Sequence, residues 1–353
     1  MRPLREVHAV VPAGIDDPAL PSGGNTYDRR VLDGLRALGW LVTEHAASGP
    51  WPRPDAAAVA RLTAVVSAVP DGALLLVDGL VASAAHGVLV AAADRVRLVV
   101  LVHLPLGPHD TAAAAGEGRV LSTATAVVTT SGWTRDMLLD AYALAPTRVH
   151  VARPGVDRAA PGAGSADGGQ LLCVGAVSVH KGHPDLVAAL ELVPDLAWSC
   201  ALVGALTREP DLVDLLRRRL EASALIGRVH LVGPLGGADL ERAYAAADLL
   251  VLPSRVETYG MVVTEALARG VPVLATDVGG VPEALGETPE GLPGLLVPAG
   301  RPGALAGALR SWLTDRDLRR RLGRRALARR ETLSPWSETA ERVSAVLDGV
   351  RAG

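Results

Sequence analysis

Short runs of Val, Leu and Ala alternate along the chain with stretches whose apolar residues recur every three or four positions. The pattern predicts strands over 7–11, 41–44, 74–77, 97–103, 126–130 and 149–152, with helices over 27–38 and 55–69 between them. The stretches 79–93 and 120–134 carry no Asp, Glu, Lys or Arg, are too short to span a bilayer and read as buried helices and strands. Near-continuous apolar strands separated by helices imply a parallel sheet covered on both faces.

The periodicity stops at Arg158, where small residues and Gly form an aperiodic linker, and restarts after it. Strands follow over 171–174, 200–203, 229–232, 249–252 and 271–275, interleaved with helices over 184–192, 211–223, 239–246 and 262–269 and with further helices after Pro302. The expected fold class is therefore α/β, with two doubly wound, Rossmann-like domains facing across a cleft. The divisions are 1–157, a linker at 158–169, 170–332 and a terminal helix at 333–353. Ligands of open α/β sheets bind beyond the carboxyl ends of the strands, so chemistry is expected on the loops that follow them.

A length of 353 residues fits two ordinary cores, and 49 % apolar with 21 % charged residues excludes a disordered chain. The formal charge of −3 supplies no field for nucleic acid. The opening Met1-Arg2-Pro3-Leu4-Arg5-Glu6-Val7-His8 has no apolar core of signal-peptide length, which gives a cytoplasmic expectation. Cys173 and Cys200 lie in separate apolar runs and read as packing residues. Lys181 is the single lysine in a chain that otherwise uses Arg for positive charge.

Four motifs fall after strands. Gly23-Gly24 lies before the first helix, where paired glycines allow close backbone approach and free amides attract an anion; a capped turn needs the same residues. His103 ends an apolar strand, where an imidazole contacts substrate or moves a proton, although taken by itself it reads first as a core His bonded to a backbone carbonyl. Lys181, in the Gly-flanked loop Gly175–Gly182, is placed to neutralise a pyrophosphate rather than to be one more solvated charge. In Pro253–Ala266, Glu257 lies in the loop, Gly260 opens a helix and Glu265 sits inside it. One strand–helix junction thus presents two carboxylates for sugar and ribose hydroxyls and helix-start amides for phosphate. The competing reading, a loop Glu and an Arg-paired helix Glu, does not account for the combined spacing.

Glu257 and Glu265 in E-x7-E spacing, followed by Ala266–Val273 and Asp277-Val278-Gly279-Gly280-Val281-Pro282-Glu283, resemble glycosyltransferase family 4. Gly23-Gly24, His103, Pro154–Asp157, Lys181-Gly182 and Gly294–Val297 extend the resemblance over nearly the whole chain. It implies the GT-B fold, a last helix that crosses back to the first domain, and retaining transfer of a sugar from a nucleotide diphosphate. By the resemblance, the catalytic set is His103, Glu257 and Lys181. The sugar-nucleotide set is Gly23, Gly24, Lys181, Glu257, Tyr259, Gly260, Met261, Val262 and Glu265. No cofactor and no metal are implied, because Lys181 and helix amides supply the charge stabilisation. The partner is a nucleotide diphosphate-sugar; the small-molecule, lipid or glycan acceptor is not encoded in any readable motif.

One departure is Ala176, where the family carries Arg; His180 and Arg255 are the candidate substitutes for that cation. Asp315-Arg316-Asp317 mimics a metal-binding Asp-x-Asp but lies in a charged, helical stretch. The eight Arg between Arg316 and Arg330 are compatible with anionic lipid, yet interspersed acids favour a solvated face over peripheral membrane contact. An NAD-dependent dehydrogenase is disfavoured because no Gly-x-Gly-x-x-Gly follows either first strand. A phosphorylase would need a pyridoxal-binding Lys, and Lys181 is in the wrong kind of place. A GT-B sugar-nucleotide epimerase and a nucleotide-sugar-binding protein without transfer activity remain as alternatives.

Overall fold

A computed structural model describes residues 5–17, 21–107 and 110–353, so Met1–Leu4 of the N-terminal stretch lie outside the described residues. The chain forms two compact units. The first contains β1 (Glu6–Pro12), α1 (Gly23–Ala37), β2 (Leu41–Ala47), α2 (Ala56–Ala68), β3 (Leu74–Asp78), α3 (Gly79–Ala84), α4 (His86–Ala92), β4 (Arg97–Val102), α5 (Thr111–Thr123), β5 (Ala126–Thr129), α6 (Gly132–Tyr142) and β6 (Val149–Val151). The second contains β7 (Gln170–Val174), α7 (His183–Leu190), β8 (Ser199–Val203), α8 (Pro210–Glu221), β9 (Val229–Gly233), α9 (Gly237–Ala246), β10 (Leu249–Leu252), α10 (Met261–Leu267), β11 (Val273–Thr276), α11 (Val281–Leu285), β12 (Gly294–Val297), α12 (Pro302–Thr314) and α13 (Arg316–Arg330). The last helix, α14 (Trp336–Ala352), belongs to the first unit.

Each unit holds one six-stranded sheet, ordered β2-β1-β3-β4-β5-β6 and β12-β11-β10-β7-β8-β9, and every ladder within them is parallel. All five residues of β3 and all four of β5 and β10 are buried, as strands covered on both faces require. The order reverses between β1 and β3 in the first sheet and between β7 and β10 in the second. Loops leaving these neighbours turn to opposite faces and open a crevice.

Helix α14 packs on α1 because Gly34 lacks a Cβ that would overlap Ala340. Trp40 Nε1 donates to Ser344 Oγ at 2.9 Å, and Thr339 Oγ1 donates to the Arg153 carbonyl at 2.7 Å. The arrangement buries Ala340, Val343 and Leu347 with the apolar stripe Val31, Leu32 and Leu35.

The units divide at Gly155/Val156 and Leu333/Ser334, and Asp17 and Ser22 group with the second unit. Two sequence readings need correction. The 158–169 stretch is not a free linker. Gly162 donates to the Arg269 carbonyl at 2.8 Å, and Asp248 accepts from Ser165 N, Ser165 Oγ and Gln170 N at 2.5–2.7 Å, so small residues there allow close docking on the second unit. Asp315 caps α13 by accepting from the amides of Asp317 and Leu318, rather than lying within the helix.

The arginines of α13 also differ from a free basic face. Arg319, Arg329 and Arg330 donate to backbone carbonyls of Trp312, Leu285 and Ala268, respectively. Cys173 and Cys200 are buried, unbridged core residues. Among the described residues, no helix is long and apolar enough to cross a membrane.

Candidate active site

In the second unit, the loops after β7 and β10 meet at the point where the strand order reverses. Lys181 Nζ donates to Glu257 Oε2 at 2.6 Å, with Ser254 Oγ 3.3 Å from the same oxygen. The backbone that holds this pair depends on particular glycines. Gly182, at φ +72°, lies so close to the Pro253 carbonyl that a Cβ would overlap it. The Arg255 amide then donates to the His180 carbonyl at 2.7 Å, lacing the two loops together. On the other side, Gly280 N donates to the Glu257 carbonyl at 3.0 Å, and Gly279 and Gly280 leave no room for a Cβ against Glu257 and Thr258. The Gly-Gly-Val-Pro-Glu tail is therefore the support of the Glu257 loop.

Gly260, at φ +92°, starts α10, which places Met261 and Val262 in the first turn and Glu265 within the helix. Glu265 Oε2 accepts from Tyr244 Oη at 2.6 Å. Burial raises the Glu265 carboxyl, while the Tyr244 hydrogen bond and the Arg269 charge pull it down. Tyr259 is 6 % exposed, and its side chain belongs to the apolar core beside Val263 and Val281.

The two proposed substitutes for the missing arginine differ. Arg255 is held by Asp185 in a bidentate pair at 2.7 and 2.8 Å, so its charge is already matched. His180 is exposed. The neighbouring His183 is buried, and that burial pushes its imidazole down to about 4, which keeps it neutral beside Lys181.

The first unit carries Gly23, Gly24 and His103. Gly24 packs against the imidazole, where a Cβ would stand 3.3 Å from His103 Cδ2. His103 Nε2 lies 2.7 Å from Asp28 Oδ1 and 3.4 Å from Asp78 Oδ2, and the Tyr27 ring meets the imidazole edge-on at 4.9 Å. Burial alone would lower the imidazole, but the charge and hydrogen bond of Asp28 and the charge of Asp78 outweigh it and raise it. Burial and the Asp28 charge push Asp78 up to about 7. These oxygens and nitrogen lie within 4.8 Å of one another, a donor set of a type that binds divalent cations. The 2.7 Å spacing is that of an N–H···O bond, so we read the cluster as an imidazole hydrogen-bonded to Asp28 that shares protons with Asp78. A separate concavity of about 650 Å³ against α6, lined by Gly107, Trp133, Asp136, Met137 and Tyr142, contains none of the residues singled out from the sequence.

The sequence reading missed Asp28, Asp78, Asp185 and Tyr244. Asp28 left a signal, because it lies four residues before Leu32 on the apolar stripe of α1, where an acid has to find a buried partner. The other three are joined to their partners only through the fold.

Residues 163–329 match the family described as glycosyl transferases group 1. The chain is 33 % identical over 265 residues to a D-inositol 3-phosphate glycosyltransferase of Jonesia denitrificans, covering 69 % of this chain and 61 % of that protein. A protein of the same name from Kineococcus radiotolerans is 35 % identical over 263 residues, covering 66 % and 59 %. The chain thus spans about three fifths of the length of these curated relatives. Among solved structures, a sucrose-phosphate synthase from Thermosynechococcus elongatus superposes with TM-score 0.81 at 22 % identity, over 99 % of both chains. Anabaena HepE in complex with UDP-glucose superposes with TM-score 0.77 at 19 % identity, over 98 % of this chain and 99 % of that one. Residues 163–329 of the second unit therefore carry the segment described as glycosyl transferases group 1, and the pair of parallel sheets has the fold of the GT-B glycosyltransferases.

Proposed function

We propose that the protein is a retaining, metal-independent glycosyltransferase that moves a sugar from a nucleotide diphosphate onto an acceptor hydroxyl. The observation that carries this reading is the Lys181–Glu257 pair across the β7/β10 reversal, inside the matched family segment. There, a cation for a diphosphate stands 2.6 Å from a carboxylate for sugar hydroxyls, beside the first turn of α10. Glu265 on the same helix is the acceptor for ribose hydroxyls, and the Met261 and Val262 amides face the phosphate or sugar.

In the reaction, the bond between the sugar's anomeric carbon and the diphosphate oxygen breaks with its electron pair leaving on the diphosphate. The acceptor oxygen bonds to the same face of that carbon, and its proton passes to the departing phosphate. Lys181 and helix amides balance the charge that accumulates on the diphosphate, the role a divalent metal takes elsewhere. His103 stands at the reacting face of the sugar in this reading, a role the family resemblance supports.

Ala176, together with the Arg255–Asp185 pair, favours one second reading: a protein that binds nucleotide sugars without turning them over. A screen of nucleotide diphosphate-sugars for thermal stabilisation and slow hydrolysis, with and without EDTA, separates the two. UDP-glucose, as bound by HepE, is the first donor to try, and D-inositol 3-phosphate the first acceptor. Transfer is expected to persist in EDTA and to be lost in Lys181→Ala and Glu265→Ala. Binding without turnover would establish the second reading, and absence of any binding would overturn both.

A further inference from the structure

We propose that Tyr244 is a positioning residue for Glu265, holding that carboxylate in the orientation that accepts the ribose hydroxyls of the nucleotide. The proposal rests on the nucleotide-binding reading above.

Tyr244 lies in α9 and is 1 % exposed, yet its hydroxyl is spent on a single partner, Glu265 Oε2, at 2.6 Å. Burial and the Glu265 charge keep the phenol protonated at every working pH, so it is a permanent donor. Arg269 fixes the other side of the assembly. It is 6 % exposed, lies 4.7 Å over the Tyr244 ring and donates from Nη1 to the Glu265 carbonyl at 2.6 Å. Its Nε and Nη2 are held by Glu241. The second carboxylate of the E-x7-E pair is therefore clamped at its side chain by one helix and at its backbone by the turn that follows its own.

The clamp leaves capacity where a ligand needs it. Oε2 is occupied by the phenol, whereas Oε1 makes no hydrogen bond among the described residues. An ionised carboxylate oxygen accepts two hydrogen bonds, so a carboxylate held at one oxygen still offers acceptors for two neighbouring hydroxyls. The groups that set its charge are few: Tyr244 and Arg269 favour the ionised form, while burial, Glu241 and Asp157 oppose it. Removing the phenol hydroxyl tilts that balance toward the protonated acid, which offers fewer acceptors.

Tyr244→Phe keeps the ring and its contact with Arg269, and circular dichroism with the melting temperature confirms that the variant folds. Dissociation constants for UDP, GDP and ADP, and for their 2′,3′-dideoxy counterparts, are measured on the full chain between about pH 5.5 and pH 8.5, with Glu265→Gln alongside. Tyr244→Phe should weaken binding of the best ribonucleotide about tenfold at the acid end. The loss should shrink as pH rises and be absent with the dideoxy compound. In donor hydrolysis, KM should rise with kcat unchanged. An equal loss for ribo and dideoxy forms, or no loss at all, would overturn the role of Tyr244, whereas a ribose-specific loss that ignores pH upholds it through orientation alone. If the wild type binds no nucleoside diphosphate, the nucleotide-binding reading itself falls, a result distinct from a wild type that binds and a variant that binds equally well.

Discussion

The Asp28–His103–Asp78 cluster makes the first unit's stability depend on pH in a direction opposite to the usual buried salt bridge, and Asp78→Asn isolates the effect. Asp78 is 4 % exposed and stands at about 7, against an ordinary 3.8. A carboxyl raised on folding contributes stability below its unfolded value and loses it as pH climbs toward the folded one. The wild type should therefore weaken from about pH 4 to about pH 7, the window set by Asp78. At about 1.4 kcal/mol per pH unit the ceiling is about 4 kcal/mol. Because Asp78 and His103 titrate against each other, we take roughly half, about 2 kcal/mol. Asn relieves this cost at neutral pH, but its single oxygen cannot serve both the Val81 amide, 3.1 Å from Asp78 Oδ1, and the imidazole. That loss of about 1 kcal/mol is independent of pH.

The variant should thus be less protected than the wild type near pH 5 and more protected near pH 8, a crossover rather than an offset. Hydrogen exchange of the β3 amides, compared at matched pH and with β10 amides as an internal reference, reads it directly. A constant difference, or a variant weaker at both values, would refute the proton-sharing account. Stabilisation of the wild type by micromolar divalent cation, lost in the variant, would show the same three residues to be a metal site instead.

Two further perturbations test the scaffold. Gly182→Ala forces a Cβ into the Pro253 carbonyl at φ +72°, so we expect a loss of at least about 2 kcal/mol in thermal unfolding and loss of nucleotide binding together. Asp248→Ala removes three hydrogen bonds from Ser165 and Gln170, worth roughly 2–4 kcal/mol locally. It should open residues 158–169 to limited proteolysis while the melting temperature of the rest changes little.

What the sequence made legible follows from where the physics is local. The strands at 74–77 and 249–252 are runs of apolar residues with nothing to pair against water, and they appear as β3 and β10 within a residue of the expected ends. The sequence does not divide α3 from α4, because Gly79–Ala92 is apolar but for Ser83 and His86 and helix and strand periods cannot be told apart in such a run. β12 was quoted for its resemblance and not seen as a strand, since its four residues carry no alternation.

The site behaves in the same way. Lys181 stood out because it is the single lysine, and Glu257 and Glu265 because their spacing straddles a helix start. Their partners are encoded only in three dimensions: Asp185 is 70 residues from Arg255 and Tyr244 is 21 from Glu265. Sequence spacing finds residues that share a loop or a helix, whereas partners brought in by a neighbouring strand or helix depend on the order of strands in the sheet.

The central claim is most directly tested by the anomeric configuration of the first product. Proton NMR of a reaction in EDTA, started with an α-linked nucleotide diphosphate-sugar, should show the α-anomer of the transferred or hydrolysed sugar appearing first, with no product in Lys181→Ala. A β-anomer appearing first, or turnover that stops in EDTA and returns with a divalent metal, would contradict retaining transfer driven by Lys181 and the α10 amides.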